Sequence, residues 1–283
     1  MSEADTSNVR LRNAEYIRSL ATSDDNSKSP IDLNIGTMNI IELNLLEWTG
    51  FDIAPRKLKM SNTGYTVILS AKWQNGAPYI SGGPLAGKYM FAQVHFHWGE
   101  NEMEGSEHSV DDARMPMELH AVHFKDEYSN LDAALRRPDG VTVAVYFFKD
   151  EPNPFIEEIV RSLNSIQEAH SSMRIVPRPL TDIMRPFTED YFLYWGPIVT
   201  AHNVHNVLWL IAREPIGITA RQIAEFRKLN DEGHHPLLSN LRPLQTSGRR
   251  NVFHVCRSGS LYASLLPLPR DSTATQDTTG ETQ

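Results

Sequence analysis

The sequence predicts one domain of mixed α/β class, mostly β and dominated by a single large sheet, and three observations carry that expectation. Runs rich in β-branched and aromatic residues recur between turn signals, only two segments have a helical period, and no linker, charge block or internal repeat divides the 283 residues. The runs are YTVILSAKW (65–73), YMFAQVHFHW (89–98), MELHAVHF (117–124), VTVAVYFF (141–148) and NVLWLIA (206–212), and QNG, SGGP and RPDG supply turns among them. In FIEEIVRSLNSIQEA the apolar positions Ile156, Ile159, Val160, Leu163 and Ile166 follow helical spacing. TARQIAEFRKL opens with Thr219 and has Gln222 three residues on, the pattern of a capping box.

The ends offer little to bury. Residues 1–28 are polar with Tyr16 as their single aromatic, and RDSTATQDTTGETQ closes the chain. We therefore expect a partly disordered segment over 1–28, the folded domain over 29–258 and a mostly disordered tail over 259–283.

Acidic residues outnumber basic ones, 35 against 27, for a formal charge of −8, and no basic stripe stands out along the chain. Nucleic acid is thus excluded as an expected partner. The single cysteine, Cys256, forbids an internal disulfide and fits a reducing compartment. The first residues carry no apolar secretory signal and the longest strongly apolar run is VTVAVYFF, so no membrane span is expected. These features predict a cytoplasmic protein, with a monomer as the default state.

Five of the 11 histidines fall between Phe91 and Phe124. In a strand, alternate side chains share a face, so His95 and His97 point one way and Phe96 the other. The 22 residues between His97 and His120 allow the ELH segment to return as an antiparallel neighbour. Three imidazoles on one sheet face would make a zinc site with one position open, the arrangement of a catalytic rather than a structural site. Gln93 and Glu118 each lie two residues before a histidine, on the same face, where a ligating imidazole needs an acceptor for its second nitrogen. An H-x-H pair alone is weak evidence, since half-buried strand histidines are common. The third histidine and the two spaced acceptors give the pattern its weight. His108 and His123 fall outside this face and read as structural.

Over roughly residues 29–254 the chain resembles the α-class carbonic anhydrases. The resemblance rests on Gln93-Val94-His95-Phe96-His97-Trp98-Gly99, on Gly105-Ser106-Glu107-His108-Ser109-Val110-Asp111 and on Glu118-Leu119-His120-Ala121-Val122-His123. Shorter matches are Ser29-Pro30-Ile31, Ser81 to Leu85, Glu214 to Ile216, Glu225 to Leu229 and Asn240 to Gln245. It implies a twisted, mainly antiparallel sheet of about ten strands with a few peripheral helices. It also implies Zn²⁺ on His95, His97 and His120, with Gln93, Glu118 and Asn240 behind them, and CO2 and bicarbonate as small-molecule substrates. An apolar CO2 pocket would comprise Val122, Val143, Ile198, Val199, Val207 and Trp209. Taken singly, each of these is equally a core residue.

Ile198 replaces the family's usual leucine, the family's N-terminal aromatic cluster is missing from residues 1–28, and two further departures bear on the chemistry. Val199 stands where the family has a threonine that orients the attacking oxygen and donates to the glutamate matching Glu107. Valine keeps the shape and lacks both functions, and loss of one such contact can slow a reaction by about 10²–10³. It also deprives Glu107 of its usual partner; the neighbouring Thr200 is the candidate catalytic residue that could take over, although its side chain should point away from that direction. Tyr65 stands at the proton-shuttle position, where a phenol with a pKa of about 10 is poorly matched to neutral pH. His202 and His205 are nearby and read as rim or surface histidines before relays. The expected function is zinc-dependent carbonate dehydratase activity of reduced rate. A binding or scaffold protein on the same fold is the alternative, and hydrolysis of activated esters a weaker third.

Overall fold

The computed structural model describes residues 28–199 and 204–256, the side chain of Val199 excepted. The expectations for 1–27 and for the tail from 257 onward lie outside the described residues.

Each predicted run is a strand: Val67–Lys72, Tyr89–Trp98, Met117–Lys125, Val141–Asp150 and Val204–Ala212. Across the main sheet the order is Ser172–Ile175, Lys57–Asn62, Val67–Lys72, Tyr89–Trp98, Met117–Lys125, Val141–Asp150, Val204–Ala212, Tyr191–Val199, Phe253–Val255 and Asn39–Ile41. Leu46–Thr49, Tyr79–Gly82 and Ile216–Ile218 pair beside that path, giving 13 strands. Pairing is antiparallel except where Val141–Asp150 meets Val204–Ala212 and Ile216–Ile218, and where Phe253–Val255 meets Asn39–Ile41. The expected mainly antiparallel sheet is therefore present, with parallel contacts concentrated around its centre.

Central strands buried on both faces read as continuous apolar runs. Val141–Asp150 is buried from Val141 to Phe148, which is why its sequence shows no polar alternation. One face carries the larger core, in which Val94, Phe96, Trp98, Leu119, Ala121 and Tyr146 pack with Ile156, Ile159 and Ile223 from the helices. The other face carries a second core containing Val122, Val143, Val207 and Trp209. His95, His97 and His120 stand on this second face.

The helices form where the sequence caps them. Asn153 accepts from the backbone N–H groups of Phe155 and Ile156, and Pro154 opens the helix Pro154–Leu163. The period predicts a longer helix. The structure ends it at Leu163 and continues as a 3-10 turn, Asn164–Ile166, which still buries Ile166. Asn164 and Ser165 begin that turn, and both residue types compete with helical hydrogen bonding. Thr219 and Gln222 make both bonds of the predicted capping box at the start of Ala220–Phe226.

Candidate metal centre

The strand Met117–Lys125 lies antiparallel beside Tyr89–Trp98 in a register that sets His120 directly opposite His95 and Glu118 opposite His97. Three imidazoles consequently meet on one face, with ring centroids 5.1 Å apart for His95 and His97, 5.0 Å for His95 and His120 and 4.5 Å for His97 and His120. One nitrogen from each lies within 4.8 Å of the others.

The outer bonds decide which nitrogens face inward. His95 Nδ1 is 3.1 Å from Gln93 Oε1 and His120 Nε2 is 2.5 Å from Glu118 Oε1. Both partners accept, so each neutral ring keeps its proton on the outer nitrogen and presents a lone pair inward. His95 Nε2 and His120 Nδ1 then face one another at 3.2 Å. Two lone pairs at that distance repel unless a cation lies between them. The edge of a tetrahedron with bonds of about 2.0–2.1 Å, the zinc–imidazole length, is about 3.3 Å. His97 completes the set: its Nδ1 lies 3.5 Å from Glu107 Oε1, and its buried Nε2 has no hydrogen-bond partner among the described residues. These residues fit a zinc ion.

Electrostatics keeps the rings of His95 and His97 neutral. Burial, reinforced by His120 and His97, pushes His95 well below the ordinary imidazole range. Burial likewise pushes His97 down to about 4. Neutral imidazole is the form that binds metal, so burial prepares the ligands rather than impairing them.

Behind the rings, Glu118 accepts from three donors with two oxygens. Oε1 takes His120 Nε2 and, at 2.7 Å, His108 Nδ1, while Oε2 takes the His108 backbone N–H at 2.8 Å. Burial alone would push Glu118 up, but His108 and His120 outweigh it and hold the carboxylate well below its usual range. His108 Nε2 meets the Tyr194 hydroxyl at 2.6 Å, and that hydroxyl lies 3.2 Å from Ser29 Oγ. His108 is thus structural in a specific sense: it positions the carboxylate that orients His120.

Glu107 is fully buried and close to His97. Arg242 binds it in a fork: Nε donates to Oε1 at 2.8 Å and Nη2 to Oε2 at 2.5 Å, with the Arg242 backbone N–H on Oε1 at 3.1 Å. Burial pushes the carboxyl up, yet His97 and Arg242 together hold it at about 2. Among the described residues, Arg242 is therefore the hydrogen-bonding partner of Glu107. Sequence reasoning quoted this arginine within Asn240 to Gln245 without assigning it a role. The available signal was a single charged residue, next to Pro243, in a segment otherwise without charge. The turn that aims Glu107 inward depends on Gly105, where a Cβ would lie 1.7 Å from Pro116 O.

Asn240 acts on the ligand strand's backbone. Its Oδ1 accepts from Trp98 N–H at 2.9 Å, and its Nδ2 donates to the carbonyls of Phe96 at 2.9 Å and Tyr65 at 3.0 Å, fixing the strand on both sides of His97. Val122, Val143, Val207 and Trp209 are buried in one cluster against which Ile198 packs. The Trp209 ring lies 5.1 Å from His120, which joins this apolar wall to the imidazoles. Tyr65 is 63% exposed, and its hydroxyl donates to Glu232 at 2.7 Å, which raises its pKa further. His205 is opposite Ile198 in the sheet. Thr200 and His202 lie outside the described residues, as does the side chain of Val199. His123, on the opposite face, is buried among Trp48, Phe51 and Phe91.

Against this geometry the comparisons are specific. The model for the eukaryotic-type carbonic anhydrase family matches residues 14–256. A protein of Caenorhabditis elegans named "Putative carbonic anhydrase 5" is 31% identical over 229 residues, covering 79% of this chain and 73% of that protein. The chain belongs to the carbonic anhydrase family. No helix among the described residues is long and apolar enough to cross a membrane.

Proposed function

We propose that the protein is a zinc-dependent carbonate dehydratase, interconverting CO2 and bicarbonate at a rate limited by Val199 and Tyr65. The observation that carries this reading is the 3.2 Å approach of His95 Nε2 and His120 Nδ1, two inward lone pairs whose proton-bearing nitrogens are fixed from outside. His95, His97 and His120 would hold the ion. Bound zinc supplies a Lewis acid that makes water a usable nucleophile near neutral pH.

The chain's own residues do the rest. Gln93 and Glu118 keep the imidazole protons turned outward. Val122, Val143, Val207 and Trp209, with Ile198 packed against them, offer a small apolar surface beside His120, suited to a small apolar gas. Glu107, held ionised by Arg242, keeps a negative charge beside His97 and retains acceptor capacity on Oε2. Tyr65, bonded to Glu232, stays protonated at neutral pH and is a poor proton acceptor. Thr200 is placed by sequence alone.

The test combines metal analysis with stopped-flow CO2 hydration. One zinc per chain, activity that disappears with a chelator and returns with zinc, and loss of both in His95→Ala with His120→Ala are the expected results. A protein that carries zinc without activity would instead support the scaffold reading, for which the identity of Val199 is the specific observation.

A further inference from the structure

Three neighbouring strands on the far side of the Tyr89–Trp98 strand gather charge that the sequence keeps apart. Arg174 lies directly opposite Lys59, Lys59 opposite Ser70, and Lys57 opposite Lys72. Directly opposed residues share a face, and Ile68 opposite His95 shows that it is the face bearing the imidazoles. The outward positions of these strands are Ser172, Arg174, Ser61, Lys59, Lys57, Ile68, Ser70 and Lys72, with no acid among them. At about 4.8 Å between strands and 6.7 Å between alternate residues, four cations sit within a patch of about 7 by 10 Å at the backbone. They line a hollow of about 260 Å³ with Ser70 and Ala71.

Nothing among the described residues neutralises them. All four are exposed, and none forms an ion pair with a carboxylate, whereas Arg178, Arg221 and Arg227 each do. Like charges directly opposite one another destabilise a sheet. In a chain of formal charge −8 with 35 acidic residues, an uncompensated cationic hollow is a local reversal of sign. A cation pair on each of two rows, about 6.7 Å apart, suits a ligand that brings separate anionic groups to both rows.

We propose that this hollow binds a compact anion carrying two phosphate-type groups, independently of the metal centre. Such a ligand would place one group between Arg174 and Lys59 and the other between Lys57 and Lys72, with Ser70 able to donate to the first. Binding relieves the repulsion, so it stabilises the sheet edge as well as the ligand.

Fructose 1,6-bisphosphate is the probe, titrated into the full chain as purified, at low ionic strength, with fructose as the uncharged control. Saturable one-site binding by calorimetry is expected for the bisphosphate alone, weakened at least tenfold in the double variant Lys59→Glu with Arg174→Glu. No saturable binding, or equal affinity in that variant, overturns the proposal. Milder variants guard against misfolding: Lys59→Gln and Lys57→Gln should melt no lower than the natural chain and lose most of the ligand-induced rise in melting temperature. A lower melting point in both would refute the uncompensated repulsion on which the site rests. The same phosphate chemistry could come from a lipid headgroup. Sedimentation with phosphatidylinositol bisphosphate vesicles, competed by the soluble bisphosphate, would assign it there; soluble binding without capture assigns it to a free ligand.

Discussion

Arg242 grips Glu107 with both arms of its guanidinium, Nε on Oε1 at 2.8 Å and Nη2 on Oε2 at 2.5 Å, next to an imidazole nitrogen 3.5 Å away on His97. A fully buried carboxylate would ordinarily take up a proton. Here the fork and His97 overcome burial and hold it at about 2. Because the folded value lies below the ordinary 4.3 or so, this contribution to stability is present above that pH and lost as pH falls toward 2.

Arg242→Gln leaves that charge buried without its partner. A loss of about 3–5 kcal/mol in urea unfolding at pH 7 is expected, together with a rise in the Glu107 pKa visible by carboxyl NMR. Arg242→Lys should recover only part, since an ammonium cannot reproduce the fork. Unchanged stability in Arg242→Gln would show that another group can hold Glu107.

Glu118 works differently, through geometry shared by two histidines. In Glu118→Gln the side chain keeps one acceptor oxygen where the structure uses two. Either the His108 backbone N–H on Oε2, or both His120 Nε2 and His108 Nδ1 on Oε1, then lose their partner. Zinc affinity, measured by competition with a chelator, should fall about 10–100-fold while the three ligands remain in place. A fall no larger than twofold would mean that His120 is oriented by strand packing alone.

Much of this was legible beforehand, and the reasons differ by residue. His95, His97, Gln93 and Glu118 follow from strand alternation, since period two assigns a face without knowledge of the fold. The approach of His120 to His95 needs one further assumption, an antiparallel return, which the loop length permits. Arg242 was not legible as a partner of Glu107, because 135 residues separate them and no local period connects them. The cationic hollow was hidden for the same reason: Lys57 and Lys72 are opposite one another only through strand register, and Arg174 joins them from 115 residues beyond Lys59. The end of the helix at Leu163 illustrates a third limit, because apolar spacing continues to Ile166 through a turn that buries the same face.

His123 sets an acid limit on the fold. Burial among Trp48, Phe51 and Phe91 pushes its imidazole down to about 3, with a backbone contact at Ala121 opposing only in part. The folded value lies below the ordinary 6.5, so between those two values the unfolded chain binds the proton and the folded chain does not. Stability from this group is complete above about pH 6.5 and falls steadily as pH drops through 3. His123→Phe, which packs in the same aromatic surroundings, should flatten that limb of the stability curve and leave stability at pH 8 within about 1.5 kcal/mol. Parallel curves for the two proteins from pH 7 to pH 4 would remove His123 as the cause.

Val199→Thr tests how far the proposed reaction depends on a strand that lies three places from Met117–Lys125 in the sheet. The strand Tyr191–Val199 ends with Val199 opposite Val204, so the position is held by a regular ladder and its backbone is already placed. A threonine there would need an acceptor for its proton, a role that the family resemblance gives to Glu107. Its Oε1 already receives Arg242 twice, through Nε and the backbone N–H, but Oε2 receives a single donor among the described residues. Valine and threonine are close in size, so the exchange tests the hydroxyl rather than the packing. If Oε2 accepts the new hydroxyl, stopped-flow CO2 hydration should rise by about 10²-fold, the scale of one preorganised hydrogen bond in a water-poor site, with zinc content unchanged. If the rate does not move, the arginine fork has fixed Glu107 for structure, and a low measured rate would be traced to proton removal past Tyr65 instead.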